Sequence, residues 1–367
     1  MTLSPLNRRR WRNFKTNRRA FWSLWVFLAL FGLSLLAEVL ANEKPIVLSY
    51  KGGLYFPIYR FYPETAFGGD FRTEAIYRDP AIQCLIVTGG IPDCFDDPET
   101  VRTEAAKGQY GGEKVAAGWM IWPPIPFSYQ TISDVGTAPS PPDRDHLLGT
   151  DDTSRDVLAR IIYGFRLSIL FTIIVTLASS LIGIAAGAVQ GYFGGWVDLT
   201  FQRLLEIWGA TPGLYVIIIL FAILGRSFWL LVGVSILFGW PALVGVVRAE
   251  FLRARNFEYV RAAKALGVSD GVIMFRHILP NAVVATMTLL PFIVTGTIGS
   301  LAALDYLGYG LPANLPSLGE LSNQAKSNLQ APWLAFSAFF TFAIMLSLLV
   351  FIFEGVRDAF DPRKTFR

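Results

Sequence analysis

The chain has 367 residues, of which 53% are hydrophobic and 16% are charged, and its formal net charge is +4 at pH 7. So high an apolar fraction over this length excludes an ordinary water-soluble protein and predicts a polytopic membrane protein. Two histidines and two cysteines leave little material for a metal site, and we expect none.

The N-terminal stretch is strongly basic and leads into an apolar run. Residues 1–19 contain seven arginine and lysine residues and no acidic residue. The apolar run Ala20–Ala41 is about 33 Å long as a helix, enough to cross a hydrocarbon core of about 30 Å. The basic flank predicts a cytoplasmic N-terminus. The alternative is a secretory signal peptide cleaved after Ala41, but the run is long for a signal and favours an uncleaved anchor.

Residues 42–150 form the long segment between the first apolar run and the next. The segment is rich in glycine and proline, and its acidic residues outnumber its basic ones, which predicts a position outside the cytoplasm. Pro45–Tyr50 and Leu54–Tyr59 flank Lys51-Gly52-Gly53 and predict a β-hairpin. We therefore expect a small, loop-rich lobe at the outer face of the membrane.

Both cysteines of the chain, Cys84 and Cys94, fall in this segment. In an oxidising periplasm they would form a disulfide that closes a loop of about ten residues. The alternative is two free thiols that are too far apart to bond. The predicted location favours the disulfide.

Residues 146–168 lead from the lobe into the membrane. Asp156–Tyr163 is amphipathic and predicts a helix lying flat at the outer interface. The charged residues here are candidates for an outer gate: Asp151, Asp152, Arg155 and Asp156. The alternative is that they cap the helix and pair with one another.

Five further apolar runs predict membrane-spanning helices: Leu167–Gln190, Phe201–Leu224, Phe228–Val247, Ala282–Leu304 and Trp333–Phe353. With the first run, six spans alternate from a cytoplasmic N-terminus and place both the Arg248–Pro280 loop and the C-terminus in the cytoplasm. The basic residues of the tail agree with that placement: Arg357, Arg363, Lys364 and Arg367.

Three prolines interrupt the predicted spans: Pro212, Pro241 and Pro291. Each removes a backbone hydrogen bond, and such helix breaks suit either a flexing pore wall or ordinary kinks in packed helices. Arg203 and Glu206 lie one helical turn apart near the start of the third span and are expected to pair. The spans contain no series of carboxylates, which argues against a proton- or ion-driven transporter.

The loop Arg248–Pro280 is charged but helix-forming, although it lies between two apolar runs. Glu258–Leu266 predicts a short helix with a flat, alanine-rich surface, and Gly267 is placed to end it in a left-handed conformation. Ser269 and Asp270 are placed to cap a second helix, which the proline at the end of the loop should terminate. The loop thus predicts a helix–glycine–helix unit on the cytoplasmic side.

Several residues of this loop resemble a known motif. Arg261-Ala262-Ala263, Gly267 and Leu279-Pro280-Asn281 resemble the EAA loop of permeases from ATP-binding-cassette importers. Arg261 stands where the general motif has Glu and His277 where it often has Ile, and both departures are typical of the oligopeptide/dipeptide branch. An ordinary cytoplasmic loop helix is the alternative.

Other segments extend the resemblance. LGTDDTSRD at residues 148–156 is similar to the branch's LGTDxxGRD motif with Ser154 in place of Gly, and the loop Leu304–Trp333 is similar to LSFLGLG…PSWG…APW. The start of the chain resembles the C-type subunit, and the 42–150 insert resembles the Yej-type branch for oligopeptides and microcin C.

The resemblance implies that the Glu258–Gly267 helix is a coupling helix that docks on an ATPase. The residues expected at that interface are Asn256, Glu258, Arg261, Ala262, Ala263, Ala265, Leu266 and Gly267. It also implies a second permease subunit, ATPase subunits or a fused ATPase, a periplasmic peptide-binding protein and a peptide substrate. The chain has no GxxxxGK[ST] motif, so we expect a non-catalytic subunit without cofactors, with ATP and Mg²⁺ used by the ATPase.

The fold class expected is an all-α polytopic membrane protein of the bacterial inner membrane, with six transmembrane helices, a cytoplasmic coupling loop at 248–280 and a small β-containing periplasmic lobe. The expected divisions are 1–41, 42–165, 166–357 and a cytoplasmic tail, 358–367. Alternative functions are a permease for a dipeptide or a nickel chelate, or a secondary transporter that needs no ATPase.

Overall fold

The computed structural model describes residues 5–107, 109–110, 113–114 and 118–360. Most of them are helical. Three basic residues of the predicted tail, Arg363, Lys364 and Arg367, lie outside the described residues.

The structure contains sixteen α-helices among the described residues. In order they are α1 Pro5–Thr16, α2 Arg18–Leu35, α3 Ala37–Leu40, α4 Pro80–Thr88, α5 Pro98–Ala105, α6 Val157–Phe193, α7 Gly195–Ala210, α8 Gly213–Leu224, α9 Phe228–Gly239, α10 Pro241–Ala254, α11 Glu258–Ala265, α12 Asp270–Val272, α13 Leu279–Met287, α14 Leu290–Tyr306, α15 Leu318–Ser327 and α16 Pro332–Phe360. A π-helical segment, Ile273–Ile278, joins α12 to α13. The strands are β1 Val47–Tyr50, β2 Gly53–Tyr55, β3 Gln109–Tyr110, β4 Glu113–Lys114 and β5 Trp119–Ile121.

Four helical segments are long and apolar enough to cross a membrane: Arg18–Leu35, Val157–Phe193, Phe228–Ala254 and Pro332–Phe360. Two bent pairs of helices pass the same test together. α7 and α8 meet at 70°, and the helix formed by α12, the π segment and α13 meets α14 at 57°. The described residues therefore contain four candidate spans, or six if each bent pair is one span, and the predicted count of six requires the second case.

Helix α6 is longer than the span predicted for it. Its 37 residues extend over about 55 Å and include nearly all of Asp156–Tyr163, the predicted interfacial helix. The prediction of a separate helix is wrong, because Gly164 does not end it. A Cβ at Gly164 would lie 3.3 Å from the side chain of Leu318, so this glycine permits close packing and the helix continues through it.

The described chain forms two compact units. The helical unit comprises residues 1–31, 164–327 and 335–367, and the insert unit comprises residues 32–163 and 328–334, in each case as far as they are described. The helical unit has several apolar core clusters, the largest of which is built from α6, α10, α11 and the π segment.

The core of the insert unit is built on the predicted hairpin. β1 pairs with β2 so that Tyr50 faces Gly53, and the turn residues Lys51 and Gly52 both have positive φ, 48° and 79°. Two consecutive positive φ values match the right-handed twist of a two-residue hairpin, which confirms that prediction. β5 adds a third strand on the other side of β1, giving the order β2-β1-β5.

Cys84 and Cys94 form a disulfide, with their Cα atoms 5.6 Å apart and both side chains fully buried. Cys84 lies on α4, which begins at Pro80 after the N-cap Asp79. The bond closes a loop in the same core as the hairpin residues Leu48 and Tyr50. The predicted disulfide is therefore confirmed.

The sequence predicts that Pro280 ends the second helix of the Arg248–Pro280 loop. This prediction is wrong. The helix continues from Asp270 through Pro280 to Met287. The π segment Ile273–Ile278 lies immediately before the proline. A π turn spaces the backbone donors and acceptors differently from an α turn, which allows the helix to include a residue that has no N–H.

Candidate functional site

Helix α11 is the predicted coupling helix, and its sequence accounts for both of its ends. Glu258 lies in its first turn and Lys264 in its last, so each charge complements the helix dipole. The Gly267 N–H donates to the Lys264 carbonyl at 3.0 Å and the Val268 N–H to the Ala263 carbonyl at 3.1 Å. With Gly267 at φ 76°, this is the Schellman pattern that the sequence predicts.

The two faces of α11 differ in burial. Val260 is fully buried and Ala263 is 8% exposed, and both pack in the core cluster that contains Phe251 and Ile273. Ala263 was predicted to contact the ATPase together with its neighbours. The rotation of the helix turns Ala263 inward, and its contact with the ATPase stays a prediction.

The other predicted interface residues are exposed, and we call their surface the docking face. It consists of Asn256, Glu258, Arg261, Ala262, Ala265, Leu266 and Gly267. Leu266 is 83% exposed, which is unusual for a leucine beside a well-packed core. A single large apolar side chain amid small and charged ones suits contact with a partner protein.

Polar contacts fix α11 to the rest of the helical unit. The Tyr192 hydroxyl at the end of α6 donates to the Asp270 carboxylate, and the Lys264 ammonium lies 4.5 Å from the centre of the Tyr192 ring. Arg255 donates to the Tyr192 carbonyl at 3.5 Å. The ends of α6, α10 and α11 and the start of α12 therefore meet at one tyrosine.

An ion pair holds α7 against α10 nearby. Arg248 donates to both carboxylate oxygens of Asp198, from Nε at 2.5 Å and from Nη2 at 2.7 Å. Two parallel bonds of this kind fix orientation as well as distance. The predicted pair Arg203–Glu206 also forms, Nη1 to Oε2 at 2.5 Å, but both side chains are well exposed.

Sequence reasoning missed these positioning residues. Tyr192 and Asp270 are 78 positions apart and Asp198 and Arg248 are 50 positions apart. In the sequence, Asp198 and Arg248 are recognisable only as charged residues next to predicted apolar runs. That signal indicates a polar environment but identifies no partner.

The charged residues predicted for an outer gate form a buried network in the insert unit. Asp151 is fully buried and accepts from Arg155 Nε at 2.8 Å and from the Arg155 N–H at 2.9 Å. Its Oδ2 also lies 3.1 Å from Nη1 of Arg160, which is 2% exposed. Asp152 is exposed, unlike the others.

Asp156 forms the second half of this network. Its Oδ1 accepts from the Ala159 N–H at 2.7 Å and so caps the first turn of α6. Its Oδ2 is 2.8 Å from Nδ1 of His146, and both residues are at least 97% buried. These contacts support the alternative that the residues cap the helix and pair with one another, while the gate remains a prediction.

An aromatic ring connects this network to a further cation. Phe127 lies between His146, with ring centres 4.2 Å apart, and the Arg78 guanidinium, 4.1 Å from the Phe127 ring centre. Arg78 also donates to the Pro126 carbonyl at 3.1 Å. Burial lowers the pKa of Arg78 below its ordinary value, although the carboxylate of Glu43 opposes that change.

The backbone conformation at Ser154 explains why the LGTDxxGRD motif has glycine at this position. Its φ is +61°, in the left-handed region that favours glycine. Its N–H donates to the Asp151 carbonyl at 3.1 Å, which closes the turn around the network. The serine thus retains a turn that glycine adopts at lower cost.

The three prolines predicted as helix breaks have different surroundings. Pro212 is the N-cap of α8 at the 70° bend, and Pro291 lies in the first turn of α14 at the 57° bend. Pro241 begins α10 directly after Trp240, and α9 and α10 together form one candidate span. Two of the prolines therefore coincide with pronounced bends.

A cavity of about 710 Å³ lies within the helical unit, between α6, α8, α9 and α14. Among the described residues its lining is mostly apolar and includes no charged side chain. Thr176 and Ser179 of α6 line it; they are 7% and 4% exposed, and their hydroxyls have no hydrogen-bond partner among the described residues. Buried hydroxyls without partners are uncommon and mark polar positions in this apolar wall.

Two family models match the chain. The model described as "Binding-protein-dependent transport system inner membrane component" matches residues 179–366, which include α11 and the docking face. The model described as "N-terminal TM domain of oligopeptide transport permease C" matches residues 4–51.

Two relatives match over nearly the whole chain, and a third matches about two thirds of it. It is 51% identical over 390 residues to the peptidoglycan transport system permease protein YejE of Agrobacterium fabrum, covering 99% of this chain and 95% of the relative. It is 50% identical over 364 residues to the inner membrane ABC transporter permease protein YejE of Escherichia coli, covering 99% and 98%. The oligopeptide transport system permease protein OppC of Bacillus subtilis is 34% identical over 239 residues, covering 65% and 78%.

Proposed function

The chain belongs to the family of binding-protein-dependent transport system inner membrane components, and on that premise we propose that it is a permease subunit of an ATP-driven importer of oligopeptides. Relatives named as oligopeptide and ABC transporter permeases support the substrate class and the energy source. Its partners are a second permease subunit, ATPase subunits or a fused ATPase that uses ATP and Mg²⁺, and a periplasmic peptide-binding protein.

The observation on which this proposal rests is the geometry of α11. Its inner face is packed against α10 and the π segment, and its outer face presents Leu266 to solvent. A short helix held so firmly on one side moves together with the helices behind it. Docking of the ATPase on the outer face therefore transmits the closure of its nucleotide sites to the candidate spans.

The membrane topology that fits this role has six spans, with the two bent pairs as single spans and both termini in the cytoplasm. The docking face and the seven basic residues of 1–19 then lie on the cytoplasmic side. The insert unit lies in the periplasm, where an oxidising environment suits the Cys84–Cys94 disulfide.

The cavity between α6, α8, α9 and α14 is this subunit's part of the translocation pathway. Its apolar wall accepts uncharged side chains, and Thr176 and Ser179 add two buried hydroxyls behind that wall. Bends at Pro212 and Pro291 border the same helices and allow the wall to change shape. The proposed pathway thus combines a wall of low polarity with two hinged helices.

The decisive experiment is the substitution Gly267→Arg. An arginine at φ 76° strains the Schellman turn, and its side chain projects at the docking face. The complete importer, reconstituted in proteoliposomes, should lose peptide uptake and retain ATPase activity that no longer responds to the peptide-binding protein. Normal peptide uptake by this variant would contradict the proposal.

The control is Gly136→Arg in the insert unit. Gly136 is exposed, has φ 70° and has open space around it, so the backbone strain is matched while the docking face is untouched. This variant should transport normally. Equal losses in both variants would mean that backbone strain alone, and not the docking face, explains the defect.

Leu266→Cys tests the membrane side. The two native cysteines are bonded to each other, so the new cysteine provides the one free thiol of the chain. In right-side-out vesicles a membrane-impermeant maleimide should label it only after the membrane is permeabilised. Labelling of intact vesicles would place α11 outside and overturn the topology.

A further inference from the structure

An apolar groove runs along the surface of the helical unit between α2 and α16. Its first part, about 330 Å³, begins at Arg10 and Trp11 of α1, and its second part, about 290 Å³, continues between α2, α6 and α14. Leu24 and Ile352 line both parts, so they form one continuous groove. Nothing in the proposed coupling mechanism uses it.

Helix α1 is fixed at one end of this groove. Phe14 is 4% exposed and packs with Ala20 and Ala359. Gly355 of α16 makes this packing possible, because a Cβ there would lie 3.1 Å from the Phe14 ring. Trp11 stacks on Phe14 with ring centres 5.6 Å apart and is 41% exposed. The groove therefore has an ordered rim with an indole ring, the side chain that favours a membrane–water interface.

The rim is strongly cationic. Arg10 lines the first part of the groove, and Arg8 and Arg12 are exposed on the same helix. Arg18 and Arg19 are exposed at the start of α2, where they border a neighbouring pocket together with Glu354. Residues 1–19 contain no acidic residue. A basic cluster of this kind attracts anionic lipid headgroups by about 1 kcal/mol per side chain near the surface. The sign of the charge thus selects the headgroup.

The length and lining of the groove suit the acyl chain of such a lipid. Along α16 it extends from Leu349 to Phe360, eleven residue steps, or about 17 Å at the rise of an α-helix. That is close to half of a hydrocarbon core of about 30 Å, the depth of one leaflet. The described residues that line its second part are nine aliphatic residues, two phenylalanines and two threonines. None of them is charged, which suits an acyl chain.

We propose that the groove between α2 and α16 binds one anionic glycerophospholipid, with an acyl chain along Leu24 and Ile352 and its phosphate at the arginines of α1 and the start of α2. The lipid fills the space that the packing of Phe14 leaves open and links α1 to the last candidate span. Its binding does not require the ATPase, and Thr176 lines both this groove and the cavity of the proposed pathway.

The test measures lipid binding to the assembled importer by native mass spectrometry in detergent. Phosphatidylglycerol and phosphatidylcholine with identical acyl chains are titrated separately. The wild type should bind its tightest phosphatidylglycerol roughly tenfold or more tightly than phosphatidylcholine. Equal affinities for the two lipids would overturn the proposed headgroup site.

Two pairs of variants locate the site. Arg12→Gln with Arg18→Gln should weaken phosphatidylglycerol binding roughly 25-fold, about fivefold per charge. The control, Arg203→Gln with Arg226→Gln, removes the same charge from elsewhere in the helical unit and should leave the affinity unchanged. An equal effect of both pairs would mean that net charge, and not this rim, attracts the lipid, and would overturn the proposal.

The groove itself is tested with Leu24→Trp, which fills the point that its two parts share. This variant should reduce the affinity for both lipids, whereas Leu30→Trp, on the same helix at a position 37% exposed, should not. Unchanged binding in Leu24→Trp would mean that the acyl chain lies elsewhere and would overturn the proposed groove.

Discussion

The docking face of α11 and the network around Asp151 both contain charged residues, but these are exposed in the first and mostly buried in the second. Glu258 and Arg261 are exposed, and the burial of α11 rests on Val260 and Ala263 behind them. Asp151 and Arg160, in contrast, are at least 98% buried and bonded to each other. Both segments resemble motifs of one permease family. Only the structure shows that the charged residues of α11 are exposed at a surface, whereas those around Asp151 form a buried network.

The difference has an energetic basis. An exposed charge interacts in water and contributes little to stability, so it is available for a partner. A buried ion pair has lost its hydration, and removal of one member leaves the other in an apolar environment. The comparison therefore predicts that variants of the network reduce stability, whereas variants of the docking face reduce coupling.

The largest effect is expected for Asp151→Ala. It removes the carboxylate that accepts from Arg155 and lies 3.1 Å from Arg160. We expect a loss of about 3–5 kcal/mol in the free energy of unfolding, because a buried guanidinium loses its counter-charge. Thermal denaturation of the purified protein measures the loss.

The neighbouring Asp152→Ala serves as its control. Asp152 is exposed, so its removal should change the free energy of unfolding by less than about 1 kcal/mol. The comparison fails if Asp151→Ala is as stable as Asp152→Ala but transports no peptide. That result would support a gate at Asp151 instead of a structural ion pair.

Tyr192→Phe tests the contact that anchors the docking face. The substitution keeps the ring under Lys264 and removes only the hydroxyl that donates to Asp270. A hydrogen bond to a charged group contributes about 1.5–3 kcal/mol. Thermal stability should fall accordingly, and amide exchange across α11 should become faster. Tyr215→Phe, at a position 65% exposed, should change neither measurement.

Val260→Ala and Leu266→Ser compare the inner and outer faces of one helix. Val260 is fully buried, so its truncation should cost about 2 kcal/mol of stability. Leu266 is 83% exposed, so its replacement should change stability by less than about 0.5 kcal/mol while weakening co-purification with the ATPase. If the two variants exchange these effects, the assignment of the faces is wrong.

The smallest effect is expected for Arg203→Gln. The Arg203–Glu206 pair is one turn apart on α7 and well exposed on both sides. Its loss should change the free energy of unfolding by about 0.5 kcal/mol or less. A larger change in thermal stability would show that exposure does not separate the two classes of charge in this protein.

The sequence predicted those features that local chemistry determines. Gly267 ends α11 because a left-handed residue is needed there, and Lys51-Gly52 forms a hairpin turn for a similar reason. The disulfide followed from two cysteines in one segment. Each of these depends on residues within about ten positions of one another.

Features that depend on distant contacts could not be predicted in this way. The inward position of Ala263 is set by Phe251 and Ile273, which lie on other helices. Gly164 lies inside α6 and packs against Leu318, more than a hundred residues later in the chain. The pairing of Tyr192 with Asp270 has no local signal either.

The π segment before Pro280 also constrains how the chain can vary. A π turn holds one residue more than an α turn, and each residue of a helix rotates it by about 100°. Deletion of one residue between Ile273 and Ile278 would restore α geometry, bring the Pro280 ring against a carbonyl and swing Asp270 away from Tyr192. The number of residues in this turn therefore sets the direction in which the Asp270 carboxylate points, and with it the hydrogen bond from Tyr192.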